Sequence, residues 1–301
     1  MPSSPATWHV VALAGTALGV GIAAPMSLAQ ERVPSVFELT GSFASSEVRE
    51  SSGVAVSRRH AGVLWTHNDS GDDAIVFAVT LGGKVLGRHR VTGATAQDWE
   101  DLALGRCPNL RGDCLYIADT GDNEERRPLV TIYIVPEPEP IAARSGARAA
   151  AAVWAVSVAY PDGPHDVEAI WVNPDGALEL VTKGLSGPIR RYRVAREALK
   201  NSMVRAQAVD TLPFMPERLL GRYVTGGAIS PNGKRVALRT YTEIFLFHRG
   251  ADGQLEPDGQ PCWLGTREPQ GEAVDFLDDD TLVLTSESFL GRHGTIHRVR
   301  C

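Results

Sequence analysis

Asp69-Ser70-Gly71-Asp72-Asp73 and Asp119-Thr120-Gly121-Asp122-Asn123 are near-copies of one phrase. Each closes a β-rich apolar run, Val63-Leu64-Trp65-Thr66 or Leu115-Tyr116-Ile117-Ala118. A second such run follows each, Ile75–Val79 and Val130–Val135. A strand, an acidic turn and a strand, used twice, mark a repeat architecture and place carboxylates at equivalent positions of neighbouring repeats.

Working outward, five segments share one grammar. Their first strands begin at Ser52, Glu100, Glu168, Thr225 and Glu272, an interval in the range of propeller blades. Turns such as Asn173-Pro174-Asp175-Gly176 and Ser230-Pro231-Asn232-Gly233 follow most of them; Pro sets φ at one corner and Asn or Gly accepts the positive φ after it. Second and third strands follow in every unit. Fourth strands are legible at 84–91, 153–159 and 204–212, and more weakly at 254–264. The fifth unit ends after its third strand. The lone strand near Phe37 can supply the fourth and close the ring, leaving no open sheet edge. The expected fold is therefore all-β, a β-propeller of five four-stranded blades. Six blades, a β-sandwich or two small β-domains are the alternatives. The stretch 137–152 reads as a connector.

The chain has 301 residues, 43% of them apolar, enough for one large domain with a substantial core. Its net charge of −6, without a basic stripe, argues against nucleic-acid binding. Residues 1–29 contain no Lys, Arg, Asp or Glu, and an apolar run from Val10 to Ala24 precedes Ser27-Leu28-Ala29. This reads as a signal peptide followed by a single domain over 30–301. The run is short for a membrane anchor, which needs about 20 residues. A secreted protein with no span after cleavage is expected, and a monomer. Export also accounts for the four cysteines. Cys107 and Cys114 bracket a short polar loop, so their pairing is favoured by low loop entropy, leaving Cys262 for Cys301. No C-x2-C spacing supports a cysteine metal site.

Ala228-Ile229-Ser230-Pro231-Asn232-Gly233-Lys234-Arg235-Val236-Ala237-Leu238 resembles the blade signature of TolB-like propellers. The plan of residues 36–301 is similar to secreted bacterial propellers of the NHL-type, SdiA-regulated and esterase-like phytase groups, with gluconolactonases and paraoxonases more distant. The resemblance implies a propeller. In relatives whose channel mouth holds a divalent metal, usually calcium, it implies Glu, Asn and Asp ligands drawn from several blades.

In a propeller the start of each first strand and the end of each second strand converge on one channel mouth. That brings together Glu100, Glu168 and Glu272 with Asn68, Asp69, Asp119 and Asp122, beside Lys183, Tyr241 and Glu287. So many carboxylates in one narrow opening need compensation. Ca²⁺, with six to eight oxygen ligands in loose geometry, is one solution; Lys183 and Arg239 are another. The Asp-x-Gly-Asp phrases also read as Asx turns that cap local amides. His67, next to Asn68, is the candidate general base. Trp99 and Trp171 are expected to pack between blades. Two functions follow. One is a metal-dependent hydrolase of an ester, lactone or phosphoester. The other is a non-enzymatic scaffold for a small molecule or extracellular protein.

Overall fold

Five antiparallel sheets of the computed structural model surround a central channel. The structure describes residues 32–43, 47–140, 148–149 and 154–301, all within the unit Glu31–Cys301. The expected signal peptide lies outside the described residues. Blade 1 runs outward through Ser51–Val56, Val63–Asn68, Ile75–Thr80 and Val85–Arg90; blade 2 through Trp99–Arg106, Asp113–Asp119, Val130–Pro136 and Trp154–Ala159. Blade 3 comprises Val167–Val172, Leu178–Thr182, Arg190–Val194 and Gln207–Thr211, and blade 4 Val224–Ile229, Arg235–Thr240, Glu243–Arg249 and Leu255–Pro257. Blade 5 takes Gln270–Phe276, Leu282–Glu287 and Thr295–Arg300 from the C-terminal end. Its fourth strand is Val36–Ser42, from the other end of the described chain.

The ring closes as the strand order requires. Each innermost strand lies against the innermost strands of its two neighbours, and that of blade 5 lies against that of blade 1. Five apolar clusters fill the five gaps between blades. Trp65 and Trp99 belong to the gap between blades 1 and 2, and Trp171 to that between blades 3 and 4. Burying a large apolar side chain contributes about 1.5–3 kcal/mol, so these gaps supply much of what holds the disc together. The chain joins Cys107 to Cys114 and Cys262 to Cys301. The second bridge ties the C-terminal residue to blade 4.

Two details depart from the expected pattern. The fourth strand expected at 204–212 is divided: Gln207–Thr211 completes blade 3, whereas Met203–Arg205 pairs in parallel with the outer strand of blade 2. Within the expected connector, Arg148–Ala149 pairs in parallel with the outer strand of blade 1. Both additions cover sheet edges that would otherwise expose unpaired amides.

Candidate functional site

Every innermost strand carries a register shift at the same place, near its start. The shift falls between Ser51 and Val54, Trp99 and Asp101, Val167 and Ala169, Val224 and Gly226, and Gly271 and Ala273. A β-bulge inserts one extra residue and re-aims its side chain. The residues within these bulges include Ser52, Glu100, Glu168, Thr225 and Glu272, the five positions that mark the repeat. Ser52 and Thr225 use their hydroxyls locally, donating to the carbonyls of Glu100 at 2.6 Å and Glu272 at 2.9 Å. The three glutamates are buried at the mouth.

Around them the structure assembles two carboxylate triads that share one member. Oxygens of Asp69, Asp98 and Glu100 lie within 4.8 Å of one another, as do those of Glu100, Asp166 and Glu168. Asp98 and Asp166 were not among the expected site residues. Each stands two positions before its blade's bulged glutamate, at the end of the loop that enters the innermost strand. The pairs Asp98-x-Glu100 and Asp166-x-Glu168 carried that signal, and Gln270-x-Glu272 repeats it. Gln270 Nε2 donates to Glu272 Oε1 and Glu287 Oε2, both at 2.8 Å, and so bridges two further carboxylates.

The electrostatics follow from burial and crowding. Burial first, then the neighbouring Glu168, Asp69 and Asp166, pushes the Glu100 carboxyl well above its usual range. Burial, joined by Asp166 and opposed by Lys183, takes Glu168 to about 7. Burial and the charges of Asp69, Glu50 and Glu168 take Glu287 to about 8, and burial with Asp69 and Asp166 takes Asp98 to about 6. Glu272 is raised by burial, then by Glu287 and Glu168. Lys183 is the cation among them. It donates to Glu168 Oε1 and its Nζ stands 3.8 Å from Asp166 Oδ2. Burial works against its charge, but Glu168, Tyr241, Asp166 and Glu100 outweigh burial and hold it protonated. Arg239 is not part of this balance; its guanidinium pairs with Glu268 and donates to the carbonyls of Ala273 and Thr285.

The remaining expected residues have other partners. Asn68 is saturated: its Oδ1 accepts from the amides of Arg49 and Glu50, and its Nδ2 donates to Glu47 O and Asp72 Oδ2. Asp119 accepts from Arg127 Nη2 at 3.0 Å and from the amides of Gln97 and Asp98 at 3.3 Å. Asp122 Oδ2 accepts from the Arg127 amide at 2.6 Å. His67 is buried beneath the inner strand of blade 1, where a Cβ on Gly53 would overlap its Nε2. Its ring meets Trp99 edge-on at 5.4 Å, and burial lowers its pKa to about 4, so it is neutral above that pH. Of the expected residues, the triads bring together Asp69, Glu100 and Glu168. Glu272 is coupled to them through Glu168.

Two acids deeper in the channel have structural work. Asp101 Oδ2 accepts from the amides of Ile170 at 2.8 Å and Gly227 at 3.3 Å, and Asp275 Oδ2 from that of Val56 at 2.6 Å. They satisfy inner-edge amides that no further strand can reach.

No protein-family model matches the chain, and no curated protein matches it. Its fold has solved counterparts. The PQQ-bound aldose sugar dehydrogenase of Streptomyces coelicolor aligns with a TM-score of 0.54 at 14% identity, over 89% of this chain and 99% of that one. A gluconolactonase of Xanthomonas campestris aligns at 0.46 and 14% identity, over 89% and 97%. A streptogramin B lyase aligns at 0.43 and 11%, over 88% and 98%. At these identities the likeness is of fold alone, that of β-propeller proteins.

Proposed function

We propose that the acidic mouth is a hydrolytic site that works with a bound divalent cation on an ester, lactone or phosphoester. The supporting observation is the pair of triads that share Glu100, one fully buried and one half-buried. The donor set fits a hard cation. It consists only of carboxylate oxygens, the chemistry of Ca²⁺, and Asp166 Oδ2 is buried without a hydrogen-bond partner. Asp69, Asp98, Glu100, Asp166 and Glu168 would hold the ion. When bound, it would polarise a substrate oxygen and acidify a water.

The chain's own groups supply the rest of this reading. Lys183 orients Glu168 and offers N–H donors to charge that develops on a substrate oxygen. Glu287, raised to about 8, and Glu272, raised by burial and by Glu287, are joined by Gln270 into a proton-holding pair suited to general acid–base catalysis. In this reading they take the role first expected of His67. The two disulfides fit an extracytoplasmic site of action, and no helix among the described residues is long and apolar enough to cross a membrane.

The test is a panel of chromogenic esters, lactones and phosphoesters, assayed with Ca²⁺ and with EDTA. Glu100→Gln and Glu168→Gln should each lower the rate by roughly 100-fold or more while leaving the melting transition intact. Rates indifferent to EDTA and to both substitutions would contradict the hydrolytic reading. They would favour the second one, a binding scaffold whose ion network ties blades 2 and 3 together, as the contacts of Lys183 with Glu168 and Asp166 already do.

A further inference from the structure

We infer that the mouth face of the disc docks on an anionic lipid surface through two leucine-tipped hairpins. Arg218-Leu219-Leu220-Gly221-Arg222 lies in the loop that leads into blade 4, and Phe289-Leu290-Gly291-Arg292 joins the second and third strands of blade 5. The two share an apolar residue, then Leu-Gly-Arg. Both leave the disc on the face of the acidic mouth. One precedes the start of an innermost strand at Val224; the other follows Glu287, which pairs with Gln270 at the start of another.

Leu219 is 94% exposed and Leu290 86%, more than any other large apolar side chain among the described residues. The tips are held rigidly all the same. Glu217 and Arg222 exchange backbone hydrogen bonds at 3.2 and 2.8 Å, and Glu217 Oε1 accepts from the Leu219 amide at 2.8 Å. The Arg222 guanidinium is gripped by buried Glu243 at 2.6 and 2.8 Å and lies over the Phe245 ring. Phe289 and Arg292 likewise exchange two bonds, at 3.0 and 2.9 Å. Leu290 sits at φ +49 and Gly291 at φ +78, a turn in which Asn-Gly is the unstrained choice. A leucine in the left-handed region is disfavoured, and here neither conformation nor burial rewards it. What the residue offers is an apolar side chain held out in water.

The surroundings indicate the occupant. The guanidiniums of Arg218 and Arg292 make no hydrogen bond or ion pair among the described residues. A projecting leucine beside a free guanidinium matches a bilayer interface, where an acyl boundary underlies phosphate headgroups. Tips that rise separately from one face of a disc fit a plane better than a groove. The acidic turns of blades 1 and 2 share this face, so the disc would meet the lipid with its blade 4 and blade 5 side.

The test uses residues 31–301, which carry all five blades and both disulfides, in co-sedimentation with phosphatidylcholine vesicles with and without phosphatidylglycerol. The protein should sediment with the anionic vesicles. Leu219→Ser with Leu290→Ser should weaken this by roughly 100-fold, about tenfold for each leucine, with an unchanged melting curve. Arg218→Gln with Arg292→Gln should remove the preference for anionic vesicles. Failure of the wild type to sediment, or equal binding by the serine variant, overturns the proposal. So does a wild type that dimerises without lipid while the serine variant stays monomeric, because the tips then cover a second copy of the chain.

Discussion

In blade 2 the carboxylate that opens the Asp-x-Gly-Asp turn, Asp119, is held by the Arg127 guanidinium, which also donates to Gly121 O at 2.7 Å. In blade 1 its counterpart Asp69 makes no ion pair among the described residues and faces Asp98 and Glu100, with its pKa raised chiefly by burial. The glycines differ as well. Gly71 sits at φ +76 in open space, whereas a Cβ on Gly121 would overlap Glu100 Oε1 and Asp98 Oδ2. One phrase therefore does two jobs. With a cation on its first carboxylate it builds a neutralised turn; in blade 1, where Arg49 and Arg90 reach Asp72 and Asp73 and not Asp69, it leaves charge for something else to neutralise.

Removing that cation is the strongest way to break the contrast. Arg127→Met strands Asp119, which is almost fully buried, and should cost about 3 kcal/mol of unfolding free energy in urea titration. Asp69→Asn should act with the opposite sign. In EDTA it removes like-charge repulsion and should stabilise by about 1 kcal/mol. Destabilisation of similar size by both substitutions would erase the distinction.

A pH series sharpens it next. Glu168 and Glu287 bind protons more tightly in the fold than in the unfolded chain. Their contribution is complete below pH 4.5 and is lost as pH rises through about 7 and about 8. His67 runs the other way. Its pKa falls from 6.5 to about 4, so its burial costs stability below pH 6.5 and is harmless above it. Between pH 6.5 and 8 the carboxylates dominate, and the metal-free protein should lose about 2 kcal/mol. Calorimetry in EDTA measures this, and a flat or rising stability across that window would count against the cluster as described.

The smallest effects come from the glycines. Gly71→Ala should cost about 1 kcal/mol through backbone strain alone and leave cation binding unchanged. Gly121→Ala pushes only on the ends of two flexible carboxylates, so its stability cost should be similar while cation affinity falls. Isothermal titration of both variants separates the two. Equal affinities would mean that Gly121 is not the floor of the site.

The blades were legible because period-2 apolar runs between Pro-Asn-Gly-type turns have few other readings, and because Val36–Ser42 had no partner except the open edge of blade 5. Both disulfides followed from loop length and elimination. The aligned glutamates at 100, 168 and 272 were legible as repeat markers, but their bulges were not, since one extra residue leaves no trace in an apolar pattern. Asp98 and Asp166 were missed because they lie at the ends of loops between blades, where acids are ordinary. Each stands one residue ahead of its innermost strand, Trp99–Arg106 or Val167–Val172, so only the folded loop ends bring them to the glutamates. Asp119 and Asp122 looked equal to Asp69 because Arg127, which distinguishes them, belongs to the loop beyond the repeated phrase.

The central claim is that the mouth needs a cation. The most direct measurement is the thermal unfolding of metal-stripped protein at pH 8, with and without Ca²⁺, for the wild type and for Glu100→Gln with Glu168→Gln. At a hundredfold excess over Kd the ion should stabilise the wild type by about 2.7 kcal/mol and leave the double variant unmoved. A wild type whose melting temperature ignores Ca²⁺, Mg²⁺ and Mn²⁺ alike would contradict it.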